Sequence, residues 1–357
     1  MAKNEIQFGK TVSLKEAEDL IVNVRSNRFH LRGEPGIGKS SMLKSIGERT
    51  GLPTAYIDCP NMDLGDIAMP VVDHATKTTR YYPNARFMLE QRTPVAIMMD
   101  EFTKAPAPVM NMLHPMLEVA NPRLGDIPIH PDSIIFTTGN LSSDGVGDNM
   151  KAHTSARLTK VTVMKPDSEQ WLTWAGNSGR IAPEVMAYVD RFPQVLASYL
   201  DGTQKDNPYI YNPRVQQDGY ICPRTLELAS NIVAQRSNFS SDSLIAALAG
   251  TLGEAGARDM QAFIAYADQL PSKATIIADP KNAALPHQPG ACAVVIYGLI
   301  TSADKGNFSA FMEYVKRFAP EWQATFAINI ARNASKQSIA FGNRDFSKWV
   351  AENQDLL

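Results

Sequence analysis

Eight residues constrain this chain more than any others: Gly33, Glu34, Pro35, Gly36, Ile37, Gly38, Lys39 and Ser40. They follow the pattern Gly, four residues, Gly, Lys, Ser or Thr, and each position has a chemical reason. Glycines let backbone N–H groups turn inward around phosphate oxygens. Lys39 supplies a mobile cation for β and γ phosphates, and the Ser40 hydroxyl is suited to ligate Mg²⁺. Ser41 joins this contact set at the start of the next element. The flanks fit, because Phe29–Leu31 read as a strand and Ser41–Gly51 as an amphipathic helix.

About sixty residues on, the apolar run Val95–Met99 ends in Asp100 and Glu101. A buried strand that stops at two adjacent carboxylates, beside a phosphate loop at the carboxyl edge of a parallel sheet, has a ready use. Asp100 would hold the metal through its water shell, and Glu101 would polarise an attacking water. The next run, Ile134–Phe136, continues through Thr137, Thr138 and Gly139 to Asn140. An amide there orients water and senses a γ phosphate, although Asn after Gly is equally a turn former.

The runs Phe29–Leu31, Ala55–Ile57, Val95–Met99, Ile134–Phe136 and Val161–Met164 show little alternation and are spaced widely enough for helical crossovers. They predict a buried parallel sheet flanked by helices. From about Asp167 the strand-like runs stop. Ser168–Ala175, Ala182–Arg191 and Thr225–Ala234 carry apolar residues at helical spacing, as do Ala257–Leu270, Ala291–Thr301 and Phe308–Phe318 beyond the Pro-bearing stretch Asp279–Pro289. The 357 residues therefore divide into an α/β core over 1–165, an all-helical lid over 166–245 and a helical extension over 246–357.

Charge narrows the partners. Lys plus Arg number 35 and Asp plus Glu 37, a net charge of -2, which offers no general attraction to nucleic acid or anionic lipid. The opening residues MAKNEIQF lead into no apolar segment, and the longest apolar run, Ala291–Ile300, is about half of what a membrane span requires. Cys59, Cys222 and Cys292 are scattered without CxxC spacing, which fits a reducing compartment. A cytoplasmic protein with no membrane partner is expected.

Taken together, these residues resemble the AAA+ ATPases, and within them the MoxR-type branch. Three features carry the closer likeness. Met62–Pro70 is similar to the segment after the second strand, where an inserted hairpin interrupts helix 2. Asp100–Ala105, followed by a helix into Leu117 and Glu118, is similar to the Walker B region. Cys222–Leu226 is similar to the sensor 2 signature. The resemblance implies a P-loop NTPase core with a helical lid that binds ATP and Mg²⁺. Lys39 and Ser40 would belong to Walker A, Asp100 and Glu101 to Walker B, Asn140 to sensor 1 and Arg224 to sensor 2. Arg157, 17 residues after Asn140, stands where the family places an arginine finger that reaches a neighbour's γ phosphate. The intervening Ser142–Ala156 departs from the family's usual wording, which makes Lys151 a rival cation.

The resemblance further implies a homo-oligomer, a hexameric ring, that remodels or assembles a protein partner, often one with a von Willebrand factor A domain. A DNA-handling ring, such as a helicase loader or translocase, is the alternative. The balanced charge disfavours it. The inserted segment Asp73–Asn84 bears Lys77, Arg80, Tyr81 and Tyr82, with the two tyrosines as pore candidates. The turn Asn121–Gly125 resembles a second pore-facing hairpin. The six histidines share no spacing that suggests a transition metal.

Overall fold

The computed structural model describes residues 10–141, 150–204 and 206–356. The amino-terminal residues read above for a leader, and most of the departure after Asn140, lie outside these. The chain forms two compact units, Met1–Lys165 and Pro166–Leu357.

In the first unit six parallel strands form one sheet: β1 (Thr11–Val12), β2 (Phe29–Arg32), β3 (Thr54–Asp58), β6 (Ala96–Asp100), β9 (Ile134–Gly139) and β10 (Thr159–Val163). The spatial order is β1-β10-β2-β9-β6-β3. Each of the five apolar runs became a strand, and β1 adds a sixth at the edge. Alternation is absent in sequence because both faces are covered. Ala96 and Met98 pack with Ile134 and Phe136 against Ala17 and Ile21 of helix α1 (Leu14–Asn23) and Leu43 and Ile46 of α2 (Met42–Thr50). Ile97 and Met99 point the other way, onto Phe102, Phe87 and Val109 and Leu113 of α3 (Ala107–Leu113). A fourth short helix, α4 (Ala152–Ser155), precedes β10.

Two antiparallel hairpins leave this sheet. One joins β4 (Ala68–Asp73) to β5 (Thr78–Pro83), and the other joins β7 (Arg123–Leu124) to β8 (Ile127–Pro128). The inserted hairpin thus starts earlier than the sequence reading placed it, with Ala68–Asp73 as its first strand. The second hairpin grips the first. Tyr81 N donates to Asp126 Oδ2 at 2.7 Å, and Asp126 N donates to Tyr81 O at 2.9 Å. Gly125 makes this approach possible. Its φ is 57°, and a Cβ on it would lie 2.4 Å from Tyr81 O, so an L side chain meets both a strained backbone and a steric block.

The second unit is helical. Its main helices are α5 (Ser168–Ser178), α6 (Pro183–Arg191), α7 (Pro223–Ala234), α8 (Ser241–Asp268), α9 (Lys273–Ala278), α10 (Pro289–Ser302), α11 (Phe308–Val315), α12 (Pro320–Arg332), α13 (Gln337–Phe341) and α14 (Arg344–Glu352). One apolar cluster runs through it, from Trp171 on α5 through Leu226 and Val233 on α7 and Ile296 on α10 to Trp349 on α14. The division expected at 245 falls inside α8, which breaks instead at Gly253, where φ is 77°. The helix α10 is buried almost throughout, which explains its unbroken apolar run. Lys336 Nζ donates to the last carbonyls of α10, Ile300 O and Thr301 O, satisfying acceptors that a helix end leaves open. The non-helical stretch before α10 is pinned by Arg317, which donates to Pro280 O and Ala283 O, both at 2.8 Å. Among the described residues no helix is long and apolar enough to cross a membrane.

Candidate active site

The carboxyl ends of β2, β9, β6 and β3 lie side by side, which places the loop after β2 next to the residues that end β6 and β9. Gly36 and Gly38 take φ of 72° and 106°, conformations that turn backbone amides toward one side of a loop and that other residues resist. Lys39 is buried and folds back across the loop, donating from Nζ to Gly33 O at 2.9 Å and Glu34 O at 2.8 Å. Ser41 occupies the N-cap of α2 but makes no side-chain bond to its first-turn amides, and its Oγ donates instead to Gly38 O at 2.7 Å. The positive end of α2 is therefore not capped by its own Ser41 side chain.

Ser40 Oγ donates to Asp100 Oδ2 at 3.0 Å, a contact between residues sixty apart in the chain. Asp100 is held from two further sides. Tyr56 OH donates to the same Oδ2 at 2.9 Å, and Thr138 Oγ1 donates to Oδ1. The Thr138 hydroxyl in turn accepts from Glu101 N at 3.1 Å. Desolvation at its hydroxyl, and then the bond to Asp100, raise the Tyr56 phenol well above its ordinary range, although about half of the side chain faces solvent; the phenol donates to the carboxylate. Glu101 stands at φ 47°, ψ 39°, a left-handed conformation that is uncommon for a residue with a side chain and that clusters at functional sites. Its carboxylate pairs with Lys104 Nζ at 2.8 Å. Asn140 follows β9 directly and is half-buried.

The loop, Asp100, Glu101 and Asn140 thus come together at one sheet edge. Arg157 and Lys151 lie further along the first unit, and Arg224 belongs to the second. Arg157 follows α4 and bonds to Glu118 Oε1 at 2.8 Å and to His153 O at 2.7 Å. Lys151 is exposed at the N-cap of α4. His153 packs its ring edge-on against His114, with centroids 5.2 Å apart, a pairing that spacing did not suggest. Arg224 is exposed in the first turn of α7, in the second unit, below an N-terminus where Cys222 N donates to Thr225 Oγ1 at 2.8 Å. Tyr81 and Tyr82 lie on β5, and with Met69, Val71 and Val72 they are each between 43% and 57% exposed. Sequence reasoning missed Tyr56, Thr138 and Lys104 as neighbours of the acids. Thr138 had a signal, since a hydroxyl residue at a strand end beside Asp100 was visible. Tyr56 had none, because only the β3–β6 register brings it near.

Residues 28–154 match the family model described as AAA domain (dynein-related subfamily). The matched segment contains the loop, both acids, Asn140, both hairpins and Lys151, and it ends before Arg157 and Arg224. Among curated proteins nothing matches the chain. Among solved structures it is similar to "a putative ATPase from Cytophaga hutchinsonii", at 14% identity over 68% of this chain and 82% of that one, with a TM-score of 0.35. It is also similar to NtrX from Brucella abortus in complex with ADP, at 16% identity over 98% and 69% of the two chains, with a TM-score of 0.40. At those scores neither likeness bears on chemistry, which is read from the chain's own residues.

Proposed function

We propose that this chain is a Mg²⁺-dependent ATPase of the MoxR-type branch that works as a homo-oligomeric ring, a hexamer, and couples ATP hydrolysis to remodelling a protein partner. The observation that carries the reading is the Ser40–Asp100 bond. It joins the hydroxyl of the phosphate loop to the carboxylate of a neighbouring strand in the arrangement that a nucleotide-bound cation needs. The donors are hydroxyl and carboxylate oxygens, the hard ligands that Mg²⁺ takes. The amino-terminal end of α2, which its own Ser41 side chain does not cap, and the buried Lys39 suit a polyphosphate chain. Mg²⁺ would supply charge neutralisation between phosphate oxygens. Ser40 and Asp100 would hold it, while Lys39 exchanges its bonds to Gly33 O and Glu34 O for phosphate oxygens.

Glu101 then polarises the attacking water, and Asn140 and Arg224 act as sensors of the terminal phosphate. Arg157 serves a neighbouring copy's site, so turnover depends on oligomers. The exposed apolar hairpin supports a protein partner, because a ribbon clasped by the second hairpin only at Tyr81 still leaves Met69, Val71, Val72, Tyr81 and Tyr82 about half in solvent, an apolar surface that a partner would cover. A partner with a von Willebrand factor A domain follows from the family likeness alone, and a cytoplasmic setting from the cysteine pattern and the short apolar runs of the sequence.

The test is an ATPase assay at near-physiological salt with and without single-stranded and duplex DNA, alongside capture of proteins on the Glu101→Gln variant in ATP. Turnover indifferent to DNA, with a specific protein retained only in ATP, is expected. Strong stimulation by DNA would move the chain to the DNA-handling class.

A further inference from the structure

We propose that Tyr56 and Thr138 are positioning residues for the divalent-cation carboxylate, with the Tyr56 hydroxyl setting how well Asp100 accepts its cation. The inference rests on the nucleotide-site reading above and adds two residues to it. An ionised carboxylate offers about four lone-pair directions, and three are already assigned. Ser40 and Tyr56 donate to Oδ2, and Thr138 donates to Oδ1. The Asp100 plane is therefore fixed from three separate elements: α2's leading loop, β3 and β9.

The geometry comes from strand register. Tyr56 pairs with Met98 across β3 and β6, so Asp100, two residues further along, lies on the same face and on the diagonal. Met99 pairs with Thr137 across β6 and β9, which sets Thr138 beside Asp100 from the other flank. Thr138 has a second task, because its hydroxyl accepts from the amide of Glu101 and so helps hold that residue's left-handed backbone. One hydroxyl thus ties the orientation of Asp100 to the backbone of the adjacent acid. Tyr56 is itself 51% exposed on an edge strand, so no packing requirement explains why a phenol is aimed at a carboxylate.

The test follows binding of a fluorescent ATP analogue to the full chain while Mg²⁺ is titrated, with EDTA as the zero point. Removing one hydrogen bond to a charged group predicts that Tyr56→Phe raises the Mg²⁺ concentration for half-maximal binding by roughly tenfold. Affinity in EDTA and the melting curve stay at wild-type values, since Phe keeps the ring. Thr138→Val shifts the Mg²⁺ requirement the same way, and Thr138→Ser restores it. A Tyr56→Phe protein whose Mg²⁺ titration overlays the wild type would overturn the proposal while leaving the nucleotide site standing. Wild-type protein that binds the analogue at no Mg²⁺ concentration would remove the site and the proposal together.

Discussion

Arg157 donates from Nε to Glu118 Oε1 at 2.8 Å, so the side chain expected to serve a neighbouring site is engaged within its own chain. The two side chains are 33% and 43% exposed, and solvent screening keeps such a pair at about 0–1 kcal/mol. That is weak enough for a phosphate on an adjoining copy to compete, because charge-assisted bonds from a guanidinium to phosphate are stronger and bidentate. Glu118→Ala should lower the melting temperature by no more than about 4 °C. Arg157→Ala should leave nucleotide affinity intact and reduce turnover on the order of 10³-fold. An Arg157→Ala protein with full turnover would remove the shared-site reading.

Lys39 and Glu101 separate binding from chemistry. Lys39→Ala should weaken nucleotide affinity at least about tenfold, since the cation facing the phosphates is gone. Glu101→Gln should bind as before and turn over about 10²- to 10⁴-fold more slowly. Equilibrium binding and steady-state hydrolysis read the two effects independently, and normal turnover in both variants would dissolve the site.

The clasp between hairpins predicts an effect far from the acids. Gly125→Ala places a methyl group against Tyr81 O in a left-handed backbone and should cost about 1–3 kcal/mol by denaturant unfolding. Asp126→Ala removes the acceptor for Tyr81 N without that strain. It should accelerate hydrogen exchange at the Tyr81 amide, and an unchanged exchange rate would show that the clasp does not persist in solution.

His114 predicts a pH response. Burial, and then the nearby Arg157 and His153, lower its pKa from the ordinary value of 6.5, with Glu118 opposing them; its Nε2 is buried with no hydrogen-bond partner among the described residues. The unfolded chain therefore takes up a proton at a higher pH than the folded one, so unfolding is favoured as pH falls below about 6.5 and the loss levels off below the folded value. His114→Leu should flatten that slope in urea titrations compared between pH 7.5 and pH 5.5. Equal slopes in variant and wild type would assign the response to other groups.

The sheet was readable because both its faces are buried, which leaves five unbroken apolar runs such as Val95–Met99. The sixth strand, Thr11–Val12, is too short to leave a pattern. Helices with mixed composition, α9 and α13 among them, left weak periodicity, and the long α8 was seen only in its second half because Gly253 interrupts the repeat. At the site, residues adjacent in sequence to the loop and acids were legible from chemistry. Tyr56 and the clasp at Gly125 were not, since each depends on a register or a turn that joins segments 44 or more residues apart.

The continuous apolar cluster from Trp171 to Trp349 has a mechanical consequence for Arg224. The helix that carries it, α7, shares its buried face with α8 and the helices beyond, so a cavity cut at Leu226 or Val233 would loosen the seat of that arginine together with the whole cluster.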